Sequence, residues 1–241
     1  MSESHSDAGR SGRGILSRRG LFFGAGAALV AAAGGLLYRH LSSTSSVKVE
    51  SFMTPASGRK KRILVVTGSG RAQGNSDLLA EAFTKGAREA GHTVDIFPAG
   101  RDPMRACMHC EGCWSTGRPC VMEDSFERFH PLLEKADMLV FCSPLYWYSV
   151  SGHIKCVMDR LYPYSQKKKP YDIPVKEAML LICGESLFLR SFAGAAESYR
   201  QMLGFKGWKD RGRLFVTGVH EYGAMKGHKA LASAEEMGRC A

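Results

Sequence analysis

The chain has 241 residues, 44% of them hydrophobic, and a formal net charge of +10, which suits one globular domain with a full core plus a tail. Half of the positive excess lies in residues 1–60, which carry eight Lys/Arg and three Asp/Glu, so the body is only mildly basic. No basic helix interleaved with aromatics follows, and Lys167-Lys168-Lys169 is a lone run of solvated-loop character, which argues against nucleic acid as a partner.

Residues 1–14 are rich in Ser, Gly and Arg, a composition that cannot bury a core. Next come Ser17-Arg18-Arg19-Gly20-Leu21-Phe22-Phe23 and an uncharged Gly/Ala-rich stretch to Tyr38. Basic residues ahead of a moderately apolar run describe an export signal. The arginine pair followed by apolar residues resembles the twin-arginine signal, whose route carries folded proteins to the periplasm or the outer face of the membrane. The same stretch is just long enough to span a bilayer, so a membrane tether is the alternative. We assign residues 1–41 to this segment, 42–60 to a polar linker and 61–241 to the functional domain.

Arg62 to Thr67 is an apolar run bounded by charges and glycines, the pattern of a buried parallel strand. Ser76 to Ala90 has helical spacing and stops at Gly91. Thr93 to Phe97 is a second strand. Asp124-Ser125-Phe126-Glu127 has the form of a capping box and opens a helix. Met138 to Cys142 is a third strand and Gly152 to Tyr162 a helix. Ala178 to Cys183 is a fourth strand, Phe192 to Leu203 a helix, Leu214 to Val219 a fifth strand and Lys229 to Gly238 a last helix. This alternation predicts an α/β protein, a flavodoxin-like doubly wound five-stranded parallel sheet with helices on both faces. Ligands of such folds bind beyond the carboxyl ends of the strands at the switch point, which directs attention to the loops after Thr67, Phe97, Cys142 and Cys183.

The loop after the first strand, Thr67 to Ser76, is glycine-rich and opens a helix. Its small residues let backbone N–H groups approach a ligand, and the helix N-terminus suits phosphate. Ser69, Asn75 and Ser76 add donors and Arg71 a charge. It is neither a Walker A loop nor a dinucleotide fingerprint. The loop after the third strand, Ser143 to Gly152, is dense in aromatics outside the strand proper, where a planar ligand can lie against it. Asp159 and Arg160, on the following helix, form a candidate structural pair.

Together these segments resemble the NADPH-dependent FMN reductase-like branch of flavodoxin-fold proteins. The resemblance rests on Gly68-Ser69-Gly70-Arg71, Gly74-Asn75-Ser76, Ser143 to Trp147, Ser151-Gly152 with Lys155, and Asp159-Arg160. It implies FMN, with Ser69, Arg71, Asn75 and Ser76 at the phosphate. Pro144, Leu145, Tyr146 and Trp147 would lie along the isoalloxazine, with Gly184 a weaker contact. It also implies an oxidoreductase with NAD(P)H or a reduced carrier as donor, a small-molecule or protein acceptor, and a homo-oligomer. No side chain stands out as a general acid or base.

Cys107, Cys110, Cys113 and Cys120 form a C-x2-C-x2-C-x6-C run after the second strand. The run is similar to that of the iron–sulfur flavoprotein subgroup, which implies a 4Fe–4S cluster. Three thiols at successive x2 spacing plus a returning fourth can surround one cubane. Zinc, disulfides and free thiols remain open for the same residues. Two alternatives to a cluster-bearing enzyme stand beside it: a cluster-free NAD(P)H-dependent FMN or quinone reductase, and a non-catalytic exported electron shuttle. Cys142, Cys156, Cys183 and Cys240 fall in strand or helix patterns and read as small core residues.

Overall fold

The computed structural model describes residues 47–50, 58–102, 104–165 and 171–241. The signal or anchor segment, residues 1–41, lies outside the described residues, as does most of the linker. Among the described residues no helix is long and apolar enough to cross a membrane.

The strands are β1 (Val47–Glu50), β2 (Arg62–Thr67), β3 (Thr93–Phe97), β4 (Met138–Tyr146), β5 (Ser149–Val150), β6 (Glu177–Cys183) and β7 (Lys209–Val216). The helices are α1 (Asn75–Glu89), α2 (Gly112–Ser115), α3 (Phe126–Leu133), α4 (Gly152–Asp159), α5 (Ala193–Lys206) and α6 (Ala230–Arg239). The sheet runs β1-β7-β6-β4-β2-β3, with β5 paired to β4. All neighbours from β3 to β7 are parallel. This is the flavodoxin-like order, with the switch point between β2 and β4.

Two additions depart from the five-stranded expectation. Val47–Glu50, within the stretch read as linker, pairs antiparallel with β7 and covers that edge; edge coverage of this kind limits strand-to-strand association. β4 also runs four residues beyond Cys142 and turns back through β5. The β7 strand starts five residues earlier than its apolar pattern indicates. Charged residues fill that first half, and Arg211 is buried with its guanidinium 3.1 Å from Cys240 O and 3.9 Å from Glu177. Pairing there lets arginine occupy a core position.

Strand alternation feeds two cores. Leu64 and Val66 join Phe129, Ile154 and Tyr199 on the face covered by α3, α4 and α5. Ile63 and Val65 join Leu79, Phe83 and Met237 on the face covered by α1 and α6. With both faces buried, the central strands read as continuous apolar runs. The expected capping box is replaced: Ser125 Oγ donates to Asp102 O, and Asp124 Oδ1 accepts from Phe126 N at 3.0 Å. The expected Asp159–Arg160 pair is replaced too. Asp159 binds Lys155 at 2.6 Å, while buried Arg160 grips Asp124 through both carboxylate oxygens at 2.9 and 3.2 Å.

Candidate functional site

The carboxyl ends of β2, β4 and β6 are in register, Thr67 beside Cys142 and Pro144 beside Cys183. Beyond them opens a cleft of about 510 Å³. Eight of the nine residues expected at the cofactor line it: Ser69, Arg71, Asn75 and Ser76 from the first loop, Pro144, Leu145 and Tyr146 from β4, and Gly184 after β6. The ninth, Trp147, is not among the lining residues and is 94% exposed. The reason is the hairpin. Leu145 pairs with Val150 and Tyr146 with Ser149, which leaves Trp147 and Tyr148 as a two-residue turn, both at positive φ (46° and 63°). Turns of that hand ordinarily take Asn and Gly, so two bulky side chains here are held against local preference.

The four first-loop residues do different work. Ser69 Oγ turns inward, accepting from Arg71 N at 3.1 Å and donating to Arg71 O at 2.9 Å, which shapes the loop. Arg71 is exposed at the rim. The Asn75 amide donates to Glu221 O at 2.8 Å and accepts from Met225 N at 3.1 Å, so it is a strut to the loop after β7. Ser76 is one of the residues around the cleft, and its Oγ is buried with no hydrogen-bond partner. It sits in the first turn of α1, whose N-terminus no side chain caps. Uncapped amides plus an unpartnered buried hydroxyl make a site that fits a phosphate group. The extended stretch from Pro144 to Tyr146 lines the same cleft, where it can take the planar part of FMN.

The loop after β7 supplies residues that the sequence pattern missed. His220, Glu221 and Tyr222 line the cleft. His220 Nδ1 is 3.1 Å from Glu185 Oε2 and joins the loops after β6 and β7. Tyr222 donates to Ala72 O at 3.1 Å. The same switch-point logic would have found them had it been applied to the fifth strand. Cys183 also lines the cleft, but burial pushes its thiol up to about 12, with Asp77 adding to the shift, so it stays protonated.

The cysteine run lies at the same sheet edge, after β3. Burial raises the Cys113 thiol, and a thiolate at Cys120, Cys107 or Cys110 would raise it further, so the four lie within electrostatic reach of one another. They do not converge. Cys113 is buried while Cys110 is exposed. Cys107 Sγ accepts from His109 N at 3.4 Å and Cys120 Sγ from Met122 N at 3.5 Å. His109 and Glu111 take positive φ on either side of Cys110 and turn it outward. His109 binds Tyr162 Oη at 3.0 Å, and Trp114 packs on the Tyr162 ring at 4.5 Å. Among the described residues no three Cys, His, Asp or Glu side chains are grouped to hold a metal ion. The expected ligand set Cys107, Cys110, Cys113 and Cys120 is therefore not gathered around one point: Cys107 and Cys120 are each bonded by an amide two residues on, Cys113 is buried and Cys110 is turned to the surface.

The family model for NADPH-dependent FMN reductase matches residues 61–208. An FMN-dependent NADH:quinone oxidoreductase of Pseudomonas aeruginosa is 27% identical over 199 residues, covering 73% of this chain and 90% of that protein. An iron–sulfur flavoprotein of Archaeoglobus fulgidus is 28% identical over 102 residues, 42% of this chain. That match spans only 46% of the flavoprotein's own length. Among solved structures, the fold is similar to the NAD(P)H:quinone oxidoreductase from Methanothermobacter marburgensis, with a TM-score of 0.60, 24% identity, and coverage of 75% and 96% of the two chains. With its sheet order, its cleft and a model match over more than half its length, the chain belongs to the NADPH-dependent FMN reductase family.

Proposed function

We propose that this protein binds FMN in the cleft and acts as an oxidoreductase that takes electrons from NAD(P)H and passes them to a quinone or a comparable small acceptor. The observation that carries this is the phosphate end of the cleft: an uncapped helix N-terminus with the buried Ser76 hydroxyl unpartnered beside it. Bound FMN supplies the redox chemistry, taking up two electrons with a hydride and giving them up together or singly. The chain supplies binding and orientation. Ser76 and the first amides of α1 would take the phosphate, Arg71 would close over it from the rim, and Pro144 to Tyr146 would set the plane of the ring. His220, held by Glu185, also lines the cleft. The comparison with the quinone oxidoreductase of Pseudomonas aeruginosa supports a quinone as acceptor.

The test is direct. Flavin released by acid from the purified protein should be FMN, close to one per chain, and NADPH or NADH should be consumed steadily when a quinone is added. Flavin without pyridine-nucleotide turnover would favour a shuttle.

The iron–sulfur cluster is a second reading, favoured by the likeness to iron–sulfur flavoproteins and by the shared neighbourhood of the four thiols. As arranged, the thiols do not fit a cubane. Iron analysis after anaerobic reconstitution separates the two readings. Export is a further proposal, supported by the sequence of residues 17–38 alone. Arg18→Lys with Arg19→Lys should then hold the protein in the cytoplasm, as cell fractionation would show.

A further inference from the structure

Arg101 stands behind the phosphate loop, outside the motif that suggests it. Its Nη1 lies 2.6 Å from Asp77 Oδ2 and 3.3 Å from the carbonyl oxygens of both Ser69 and Arg71. Nη1 has two hydrogens, so the carboxylate takes one and the two carbonyls share the other. Asp77 is only 4% exposed, and its second oxygen has no hydrogen-bond partner. The turn that carries Arg101 is fixed to the loop by backbone. Gly100 N donates to Thr67 O at 3.0 Å, and a Cβ on Gly100 would fall 2.1 Å from Ser69 O.

Two consequences follow from this geometry. The carbonyls of residues 69 and 71 are drawn back toward the guanidinium, which keeps their negative ends away from the cleft. And Asp77, a buried carboxylate in the first turn of α1, is neutralised where a phosphate would otherwise meet a like charge. We propose that Arg101 is a positioning residue that makes this loop selective for a phosphate monoester, by holding back two carbonyls and cancelling the charge of Asp77. The proposal rests on the flavin reading above and adds a residue that does not itself line the cleft.

The test compares FMN with riboflavin, which has the same ring and ribityl chain but no phosphate. Each is titrated into flavin-stripped protein and followed by quenching of flavin fluorescence. Arg101→Gln should weaken FMN about tenfold or more, the loss of one charge-assisted contact, while riboflavin stays within about twofold. Adding Asp77→Asn to that variant should recover part of the FMN affinity. Arg101→Lys keeps the charge but loses the fork and should fall between; it also carries the comparison if the glutamine variant does not fold. Equal losses for both flavins, or no loss for either, would overturn the proposal, as would a double variant with no recovery. If the wild-type protein binds riboflavin and FMN equally well, selectivity for the phosphate is absent and the proposal fails while the flavin reading stands. If it binds neither, both fail.

Discussion

The phosphate loop and the cysteine run share one edge of the sheet, and each carries a short motif of good ligands, yet only one of them gathers those ligands. The phosphate loop is tied down from far along the chain: Gly68 N to Cys142 O, Asn75 to Glu221 and Met225, Tyr222 to Ala72, Arg101 to two of its carbonyls. Inside the cysteine run, the thiol contacts of Cys107 and Cys120 reach only the amide two residues on. Long-range contacts come through Tyr162, which meets His109 and Trp114, and just outside the run, where Asp124 accepts from Arg105 N and from Arg160. The contrast is one of degree: distant elements bond the first loop at several points, and the cysteine run mainly through Tyr162.

The largest effect should come from cutting the tether at the end of the cysteine run. Asp124 and Arg160 are both nearly buried, 8% and 2% exposed at the side chain. Removing one partner leaves the other charged and unpaired, so Asp124→Ala should cost about 3 kcal/mol of stability by urea unfolding. Burial alone would raise the Asp124 carboxyl, but the bonds from Arg160 and from the Phe126 and Arg105 amides outweigh it and hold it low. Its stabilising share is thus complete above the ordinary carboxylate value and is lost as pH falls through the depressed one. A flat stability profile in acid would break this account.

Next is Gly100→Ala, whose new methyl would strike Ser69 O. Overpacking of this kind costs about 1–3 kcal/mol, and here FMN affinity should fall with it. If that variant kept full affinity, the rigidity ascribed to the loop would be wrong. Ser76→Ala sharpens the comparison from the other side. It removes an unpartnered buried hydroxyl, so the flavin-free protein should be as stable or slightly more so, while FMN binds about fivefold to tenfold more weakly.

A smaller effect is expected below neutral pH. Burial lowers the His130 imidazole, with Glu134 pulling the other way, and Tyr164 Oη lies 2.6 Å from its Nδ1. A lowered histidine contributes stability above its ordinary value, lost as pH falls through the folded one. The thermal midpoint should therefore drift down below about pH 6.5, and His130→Gln should flatten the drift. The smallest effect is that of Cys110→Ser, an exposed position, with stability changed by less than about 0.5 kcal/mol and FMN content unchanged. Iron measured on the same samples decides the rest. Four irons per wild-type chain, lost in the variant, would mean that the run closes around a cluster after all.

Much of the scaffold is legible from residues alone. Arg62 to Thr67 and Thr93 to Phe97 read as strands to the residue, because both are short and bounded by charge, Gly or Pro. The first loop is legible as part of the cleft because its glycines and small polar residues lie between a strand and a helix at the carboxyl edge of the sheet. What escapes is tertiary. The first half of β7 is charged and becomes a strand only because Arg211 finds partners across the fold. Arg160 carries no sequence sign that its partner is Asp124 rather than its neighbour. His220 at the cleft and Arg101 behind it lie on loops at the carboxyl edge of the sheet, where topology marks the loop but not which side chain is used. The Trp147–Tyr148 turn defies its own residue preferences, and Trp147, which the resemblance puts along the isoalloxazine, is exposed and outside the cleft lining.

That outward tryptophan gives the molecule an optical handle. Of the three tryptophans in the chain, Trp208 is buried and Trp114 packs at a tilt against Tyr162. Trp147 alone of them stands 94% in water, one residue from the cleft wall. Its emission should sit at the red end of the indole range, while the other two emit from drier surroundings. A flavin seated against Tyr146 would absorb at the wavelengths it emits, and any protein surface laid over the hairpin would shift its colour. Occupancy of the cleft and cover of its rim can therefore be followed in one spectrum, without a label.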